Sequence, residues 1–197
     1  MPETEEEKIL PVPASAWLDK AGVLAEGIVK GLIKQNRMIA AAESCTAGLA
    51  SDFITRIPGA SGVFWGSFVT YTIDAKIKML GVPEELITKY GAVSRQVASA
   101  MALGTLEKSG AFWAFSVTGL AGPGGDGRVP VGTVWIGISG RDGDPPGSFR
   151  HESKMYFFSG ERNEIREAAA AAVLEELSAR IFGKPEGVDS SLALAGL

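Results

Sequence analysis

The chain has 197 residues, 46% hydrophobic and 21% charged, and its 19 basic and 23 acidic side chains leave a formal net charge of −4 at pH 7. This composition supports a real hydrophobic core and excludes a disordered chain, while the acidic balance argues against nucleic acid as a partner. One cysteine, Cys45, and one histidine, His151, exclude an internal disulfide, a cysteine-rich zinc site and every motif that needs two histidines, while an all-carboxylate magnesium site stays open.

Residues 1–13 begin Met-Pro-Glu-Thr-Glu-Glu-Glu-Lys and are then broken by prolines. They read as a flexible acidic tail, unlike the basic start of a secretory signal. No apolar run approaches the ~18 residues that span a membrane, so the expectation is a cytoplasmic protein with no membrane partner. Ser15 is placed to cap a helix to about Gln35, whose apolar positions Trp17, Val23, Leu24, Ile28, Leu32 and Ile33 recur near helical spacing. Residues 37–42 read as a short buried strand. Glu43-Ser44-Cys45-Thr46-Ala47-Gly48 follows, and Leu49, Phe53, Ile54 and Ile57 continue as a second helix stopped at Pro58-Gly59.

Residues 62–71 are β-branched and aromatic, a strand. Asp74 is placed to cap a short helix to Met79, Pro83-Glu84-Glu85 opens another that ends near Tyr90, and Ser94 caps a helix through Lys108. Residues 112–117 form a third strand, 118–130 a Gly/Pro loop and 131–140 a fourth strand. Residues 149–158 return as a hairpin partner after a turn at 141–147. A last helix runs from Gly160-Glu161-Arg162-Asn163 to about Phe182, and residues 184–197 read as a second flexible tail. Strands alternating with helices, with an antiparallel pair near the C-terminal end, predict an α/β fold on a mixed sheet.

Chemistry concentrates where the first strand meets the second helix. Ligands of open α/β sheets collect at the carboxyl ends of strands, and helix N-terminal amides favour negative charge. Ser44 is therefore placed as a nucleophile, with the amides of the following residues as an oxyanion hole; the plainer reading is a helix cap. Cys45, at the same helix start, is a second candidate nucleophile if its pKa is depressed, or else a small buried hydrophobe. No G-x-S-x-G elbow and no S-x-x-K occurs, so the base is His151 or a lysine distant in sequence. Lys76 follows the strand that ends at Tyr71 and reaches the same end of the sheet if the strands are parallel. Held among Val69, Tyr71 and Ile73 it would lose hydration, which lowers a lysine pKa and frees a neutral amine; the alternative is an exposed helix lysine. Gly122, Gly124 and Gly127 match G-x-G-x-x-G literally, but a strand rather than a helix follows. That loop is an amide cradle for a phosphate or oxyanion, or a plain connector. Arg162 stands in the first turn of the last helix, against the helix dipole. A ligand phosphate would give it a reason, and a solvated arginine is the alternative.

At these residues the chain resembles a known family. Ala42-Glu43-Ser44-Cys45-Thr46-Ala47-Gly48-Leu49 resembles the A-E-S-C-T-G-G block of the CinA C-terminal domain family, whose members act as nicotinamide-nucleotide amidases (NMN deamidases). Val69-Thr70-Tyr71-Thr72-Ile73-Asp74-Ala75-Lys76 is similar to that family's V-x-Y-x-N-x-x-K, and Phe158-Ser159-Gly160-Glu161-Arg162 to its F-x-G-x-R. Gly91-Ala92-Val93-Ser94, Val117-Thr118-Gly119-Leu120-Ala121-Gly122-Pro123-Gly124-Gly125 and Pro130-Val131-Gly132-Thr133-Val134 match between them, in the same order. With the flanking helices the resemblance extends over one domain, residues 14–183.

The resemblance implies a three-layer α/β/α sandwich on a mixed sheet. It also implies hydrolysis of nicotinamide mononucleotide to nicotinate mononucleotide and ammonia, a step of pyridine nucleotide recycling, by a Ser-Lys mechanism without metal or cofactor. Ser44 is then the nucleophile and Lys76 the base. Tyr71, Thr118, Gly119 and Arg162 line the site, and Cys45, Thr46 and Gly122 complete the substrate-binding set. Three positions depart from the pattern: Ile73 stands where Asn is usual, Val129 where Lys often precedes Pro-Val-Gly, and Ala47 replaces a glycine. Family members also occur fused to a second, N-terminal domain, for which 197 residues leave no space. Two competing readings are a nucleotide-binding module without turnover and an interaction protein linked to competence or DNA damage. A homodimer is a common state for α/β chains of this size.

Overall fold

The computed structural model describes residues 14–142 and 148–183; the expected tails, 1–13 and 184–197, and most of the turn at 141–147 lie outside the described residues. In chain order the elements are α1 (Ala14–Gln35), β1 (Ile39–Glu43), α2 (Leu49–Thr55), β2 (Phe64–Val69), α3 (Ile73–Leu80), α4 (Glu84–Tyr90), α5 (Arg95–Ser109), β3 (Trp113–Gly119), β4 (Thr133–Gly140), β5 (Arg150–Phe157) and α6 (Arg162–Phe182). A single 3-10 turn, Ala60–Gly62, separates α2 from β2. The strands form one sheet in the order β2-β1-β3-β4-β5. β1 runs parallel to β2 and to β3, whereas β4 is antiparallel to β3 and β5 to β4.

Helices cover both faces of this sheet, giving the three layers. On one side α1, α2 and α6 bring Ile28, Leu32, Phe53, Ile54, Leu174 and Leu177 onto Ile39, Phe115 and Ile136. On the other, α3, α4 and α5 bring Leu80, Ile87, Val97 and Met101 onto Ala42. β1 is buried along its whole length, which is why its Ile-Ala-Ala-Ala run does not alternate: a parallel strand covered on both faces needs no polar side. At Gly104 of α5 two helices nearly touch through backbone. A Cβ there would lie 2.1 Å from the Leu80 carbonyl oxygen, so its missing side chain seats α3 against α5.

Three local expectations change. The buried stripe of α1 is Ala21, Ala25, Ile28, Val29 and Leu32, while Val23 is 72% and Ile33 49% exposed. Two alanines carry the stripe, at the i, i+4, i+7 spacing of one helical face. Ser15 falls within the first turn of α1, and the side chains of residues 14–18 lie outside the described residues. Thr72, not Asp74, caps α3: its Oγ1 accepts from the Ala75 amide at 3.1 Å. Asp74 lies within the first turn and pairs with Lys78 at 2.9 Å. Among the described residues no helix is long and apolar enough to cross a membrane.

Candidate active site

Ser44 is the first residue beyond β1. The parallel ladder carries it between two neighbours: its amide donates to the Val117 carbonyl of β3 at 2.9 Å, and the Thr70 amide beyond β2 donates to the Glu43 carbonyl at 2.9 Å. Three parallel strands therefore end together around the Ser44 hydroxyl. From Thr70 the chain turns through the Thr72 cap into α3, whose fourth residue is Lys76. Lys76 is buried and points back to the strand ends, where its Nζ lies 2.8 Å from Ser44 Oγ and 2.7 Å from the Thr70 carbonyl oxygen. Burial, which penalises the ammonium form, lowers its pKa from 10.5 to about 8, against a smaller upward pull from Cys45. Val69, Tyr71 and Ile73, expected to surround it, are themselves 44%, 55% and 51% exposed, although Lys76 is 2% exposed.

The turn at Ser44 is not a helix start. α2 begins at Leu49, after a Gly48 cap at φ 100°, so Ser44 caps nothing. The amides at the head of α2 are occupied by Glu43, the last residue of β1, which is fully buried. Its Oε2 accepts from Gly48 at 2.9 Å and Ala50 at 3.2 Å; its Oε1 accepts from the Ser51 amide at 2.9 Å and from the Ser51 hydroxyl. The Ala47 amide bonds back to the Ser44 carbonyl, and the Leu49 amide to Thr46. Two amides of the turn, those of Cys45 and Thr46, have no oxygen acceptor among the described residues. The Cys45 thiol is buried beside them, and burial pushes it from 9.0 to about 12, outweighing the pull of Lys76 and of these two amides. A thiol held protonated is no nucleophile at neutral pH. Ala47 adopts φ 52°, in the left-handed region that favours glycine; this is the position where the family block has glycine.

The remaining residues gather around this centre. Arg162, at the start of α6, donates from Nη2 to the Tyr71 hydroxyl at 2.7 Å and from Nη1 to the Gly122 carbonyl, so the three meet at one edge. Thr118 is buried and donates to the Ala92 carbonyl at 2.8 Å. Gly119 ends β3 against Cys45: a Cβ there would lie 3.0 Å from its sulfur and 2.7 Å from Val134 Cγ2. Thr46 is fully buried with an unpartnered Oγ1. Ile73 is exposed at the first turn of α3 and Val129 donates its amide to Asp126 at 3.0 Å. His151 is placed elsewhere. It lies on β5, opposite Ser139, which itself pairs with Ala114 near the start of β3. That is the other end of the sheet, three strands from β1 and roughly 14 Å across it.

Two residues of the centre escaped the sequence reading. Glu43 carried a signal, as a lone acid ending an apolar buried strand. Arg166 of α6 sends Nε to the Cys45 carbonyl at 3.1 Å and Nη2 to the Thr46 carbonyl at 3.2 Å. It lies one helical turn after Arg162 on the same face, but nothing in the sequence pairs it with a turn some 120 residues earlier.

Comparison with known proteins gives a consistent result. Residues 22–181 match the CinA C-terminal domain. A CinA-like protein of Akkermansia muciniphila is 44% identical over 166 residues, 84% of this chain but 37% of that protein; the chain thus spans well under half the length of the curated relatives it matches. Among solved structures, a competence/damage inducible protein from Agrobacterium tumefaciens superposes with a TM-score of 0.74 at 40% identity, over 87% of this chain and 98% of that one. A competence damage-inducible protein from Klebsiella pneumoniae gives a TM-score of 0.76 at 28% identity, over 82% and 96%.

Proposed function

The chain belongs to the CinA C-terminal domain family, and we propose that it is an amidohydrolase that converts nicotinamide mononucleotide to nicotinate mononucleotide and ammonia through Ser44 and Lys76. The observation that carries this reading is the 2.8 Å contact between Lys76 Nζ and Ser44 Oγ, made by a lysine whose pKa is lowered to about 8. An ordinary lysine is almost wholly protonated at neutral pH; this one supplies a usable fraction of neutral amine.

The chemistry follows from the geometry. The Thr70 carbonyl takes one N–H of the neutral Lys76 amine, which leaves the nitrogen lone pair to accept the Ser44 hydroxyl proton as Oγ attacks the carboxamide carbon. The amides of Cys45 and Thr46 receive the oxygen that becomes negative. Collapse of the tetrahedral adduct breaks the C–N bond; Lys76 returns its proton to the departing nitrogen, ammonia leaves, and Ser44 carries a nicotinoyl ester. A water then attacks this ester, giving its proton to Lys76, and the carboxylate product leaves as Ser44 recovers its hydrogen. Arg162 uses two of its donors on Tyr71 and Gly122; the rest of the guanidinium, with the Tyr71 hydroxyl, is suited to the substrate phosphate.

Ammonia and nicotinate mononucleotide, measured after incubation with nicotinamide mononucleotide, test the reading. Equal amounts of both are expected, and Ser44→Ala should lower the rate at least ~10³-fold without changing the melting temperature by more than a degree or two. A wild-type protein that nicotinamide mononucleotide stabilises against heat but does not turn over is a binding module instead.

A further inference from the structure

We infer that Arg166 is a positioning residue for the reaction: by holding the Cys45 carbonyl it aims the Thr46 amide at the oxyanion. The inference rests on the amidase reading above. Ser44 donates to Val117, Ala47 to Ser44, Leu49 to Thr46 and Asp52 to Gly48, while Gly48, Ala50 and Ser51 donate to Glu43. The carboxylate of Glu43 thus fills the positive end of α2, and among the described residues the Cys45 and Thr46 amides alone in this turn meet no oxygen; the Cys45 thiol beside them is a weak acceptor that a substrate oxygen would outcompete. In a planar trans peptide the carbonyl of one residue and the amide of the next point in opposite directions. Whatever fixes the Cys45 carbonyl therefore fixes the Thr46 amide.

Among the described residues, Arg166 Nε is the one donor to that carbonyl. The Thr46 carbonyl, by contrast, accepts from both Arg166 Nη2 and the Leu49 amide. The guanidinium is itself held by Asn163, whose Oδ1 accepts from Nη1 at 3.1 Å. A planar fork that reaches two successive carbonyls is something a lysine cannot reproduce. No other hydrogen bond among the described residues holds the Cys45 carbonyl, so loss of Arg166 frees this peptide to rotate. An oxyanion donor that turns away is a loss felt in the transition state and not in substrate binding.

The test compares wild type with Arg166→Ala, Arg166→Lys and Asn163→Ala in two assays: ammonia release from nicotinamide mononucleotide, and labelling of Ser44 by a fluorophosphonate, which also builds negative charge on an oxygen at the reacting centre. Arg166→Ala should lose about 10- to 100-fold in kcat and in labelling rate, with KM within about threefold of wild type and the same melting temperature. Arg166→Lys should recover part of the loss, and Asn163→Ala should lose less than either. Because the lowered pKa of Lys76 arises from burial, with Cys45 pulling against it, the pH-rate profile of the variants should keep its inflection near 8, which a collapsed site would not. Wild-type kcat and labelling rate in Arg166→Ala overturn the inference, as does a loss confined to KM. If the wild type releases no ammonia while Ser44 labelling still depends on Arg166, the substrate reading fails and the positioning role stands.

Discussion

Lys154 on β5 and Lys76 on α3 flank the same sheet but meet opposite surroundings. Lys154 is 43% exposed on the antiparallel edge and lies 2.9 Å from Glu176, a surface ion pair worth about 0–1 kcal/mol. Lys76 is 2% exposed at the carboxyl end of the parallel half. Its hydrogen-bond partners are a hydroxyl and a carbonyl, and no ion pair among the described residues includes it. At the antiparallel edge this side chain has solvent and a carboxylate on α6 beside it. Parallel strands instead end side by side, and the crossover connections bring helices and turns over those ends. That is where this lysine is desolvated without an ion-pair partner, the state the proposed reaction asks of its base.

The largest expected effect is a direct break of this contrast. Lys76→Ala should lower kcat by about 10²–10⁴-fold, and Lys76→Arg should be as poor, because arginine keeps its proton at any usable pH. Lys154→Ala and His151→Ala should stay within twofold of wild type, since both lie on the far edge strand. In steady-state assays across pH 6–10, the wild-type rate should climb through about pH 8 as Lys76 sheds its proton. Substantial activity in Lys76→Arg would mean that the residue acts only by its charge.

A second cation sharpens the comparison. Arg162 stands at the same end of the sheet as Lys76 but is exposed and bonded to neutral groups, so it is free to meet an anion. Loss of a charge-assisted hydrogen bond costs ~1.5–3 kcal/mol, so Arg162→Ala should raise KM by roughly 10- to 150-fold and leave kcat nearly intact. Wild-type activity on the nucleoside lacking the phosphate, at an unchanged KM, would remove the phosphate from this role.

The smallest expected effect is on stability. Between pH 8 and 10.5 the folded chain has released the Lys76 proton and the unfolded chain still holds it, so stability rises with pH across that window. Below pH 8 the buried ammonium is a liability of at most about 3 kcal/mol. Lys76→Met should therefore melt above wild type at pH 7, by a margin that narrows toward pH 9, whereas Lys154→Met should change little. Cys45 acts oppositely: its thiol, pushed from 9.0 to about 12, lowers stability as pH climbs between those values, so calorimetry from pH 6 to 9 reads Lys76 most cleanly.

Much of this was legible along the chain. Strands and helices follow from period and punctuation, and the blocks around Ser44, Lys76 and Arg162 marked the centre. The errors were local and have local causes. Val23 and Ile33 are large and apolar, yet alanines hold the buried face of α1 because α6 packs close enough to need small residues there. Asp74 is a good cap by type, but Thr72 stands where the chain actually leaves its extended conformation. Ser44 and Cys45 looked like a helix start because a helix does follow, five residues later and already capped from within by Glu43.

Composition, periodicity and motif order determined the α/β class and the order of elements, because these depend on which residue types recur at which spacing; Ser44 and Lys76 were singled out as a candidate pair by the resemblance of their blocks to a known family. Only the tertiary structure decided which groups stay neutral and which amides stay free. Lys76 is buried beside a hydroxyl 32 residues earlier in the chain, and His151 is set on the far edge strand by strand order. The amides of α2 are consumed by Glu43, and Arg166 arrives from the last helix to hold the turn. Desolvation and hydrogen-bond competition depend on every neighbour at once, and those neighbours are assembled from distant parts of the chain by the sheet.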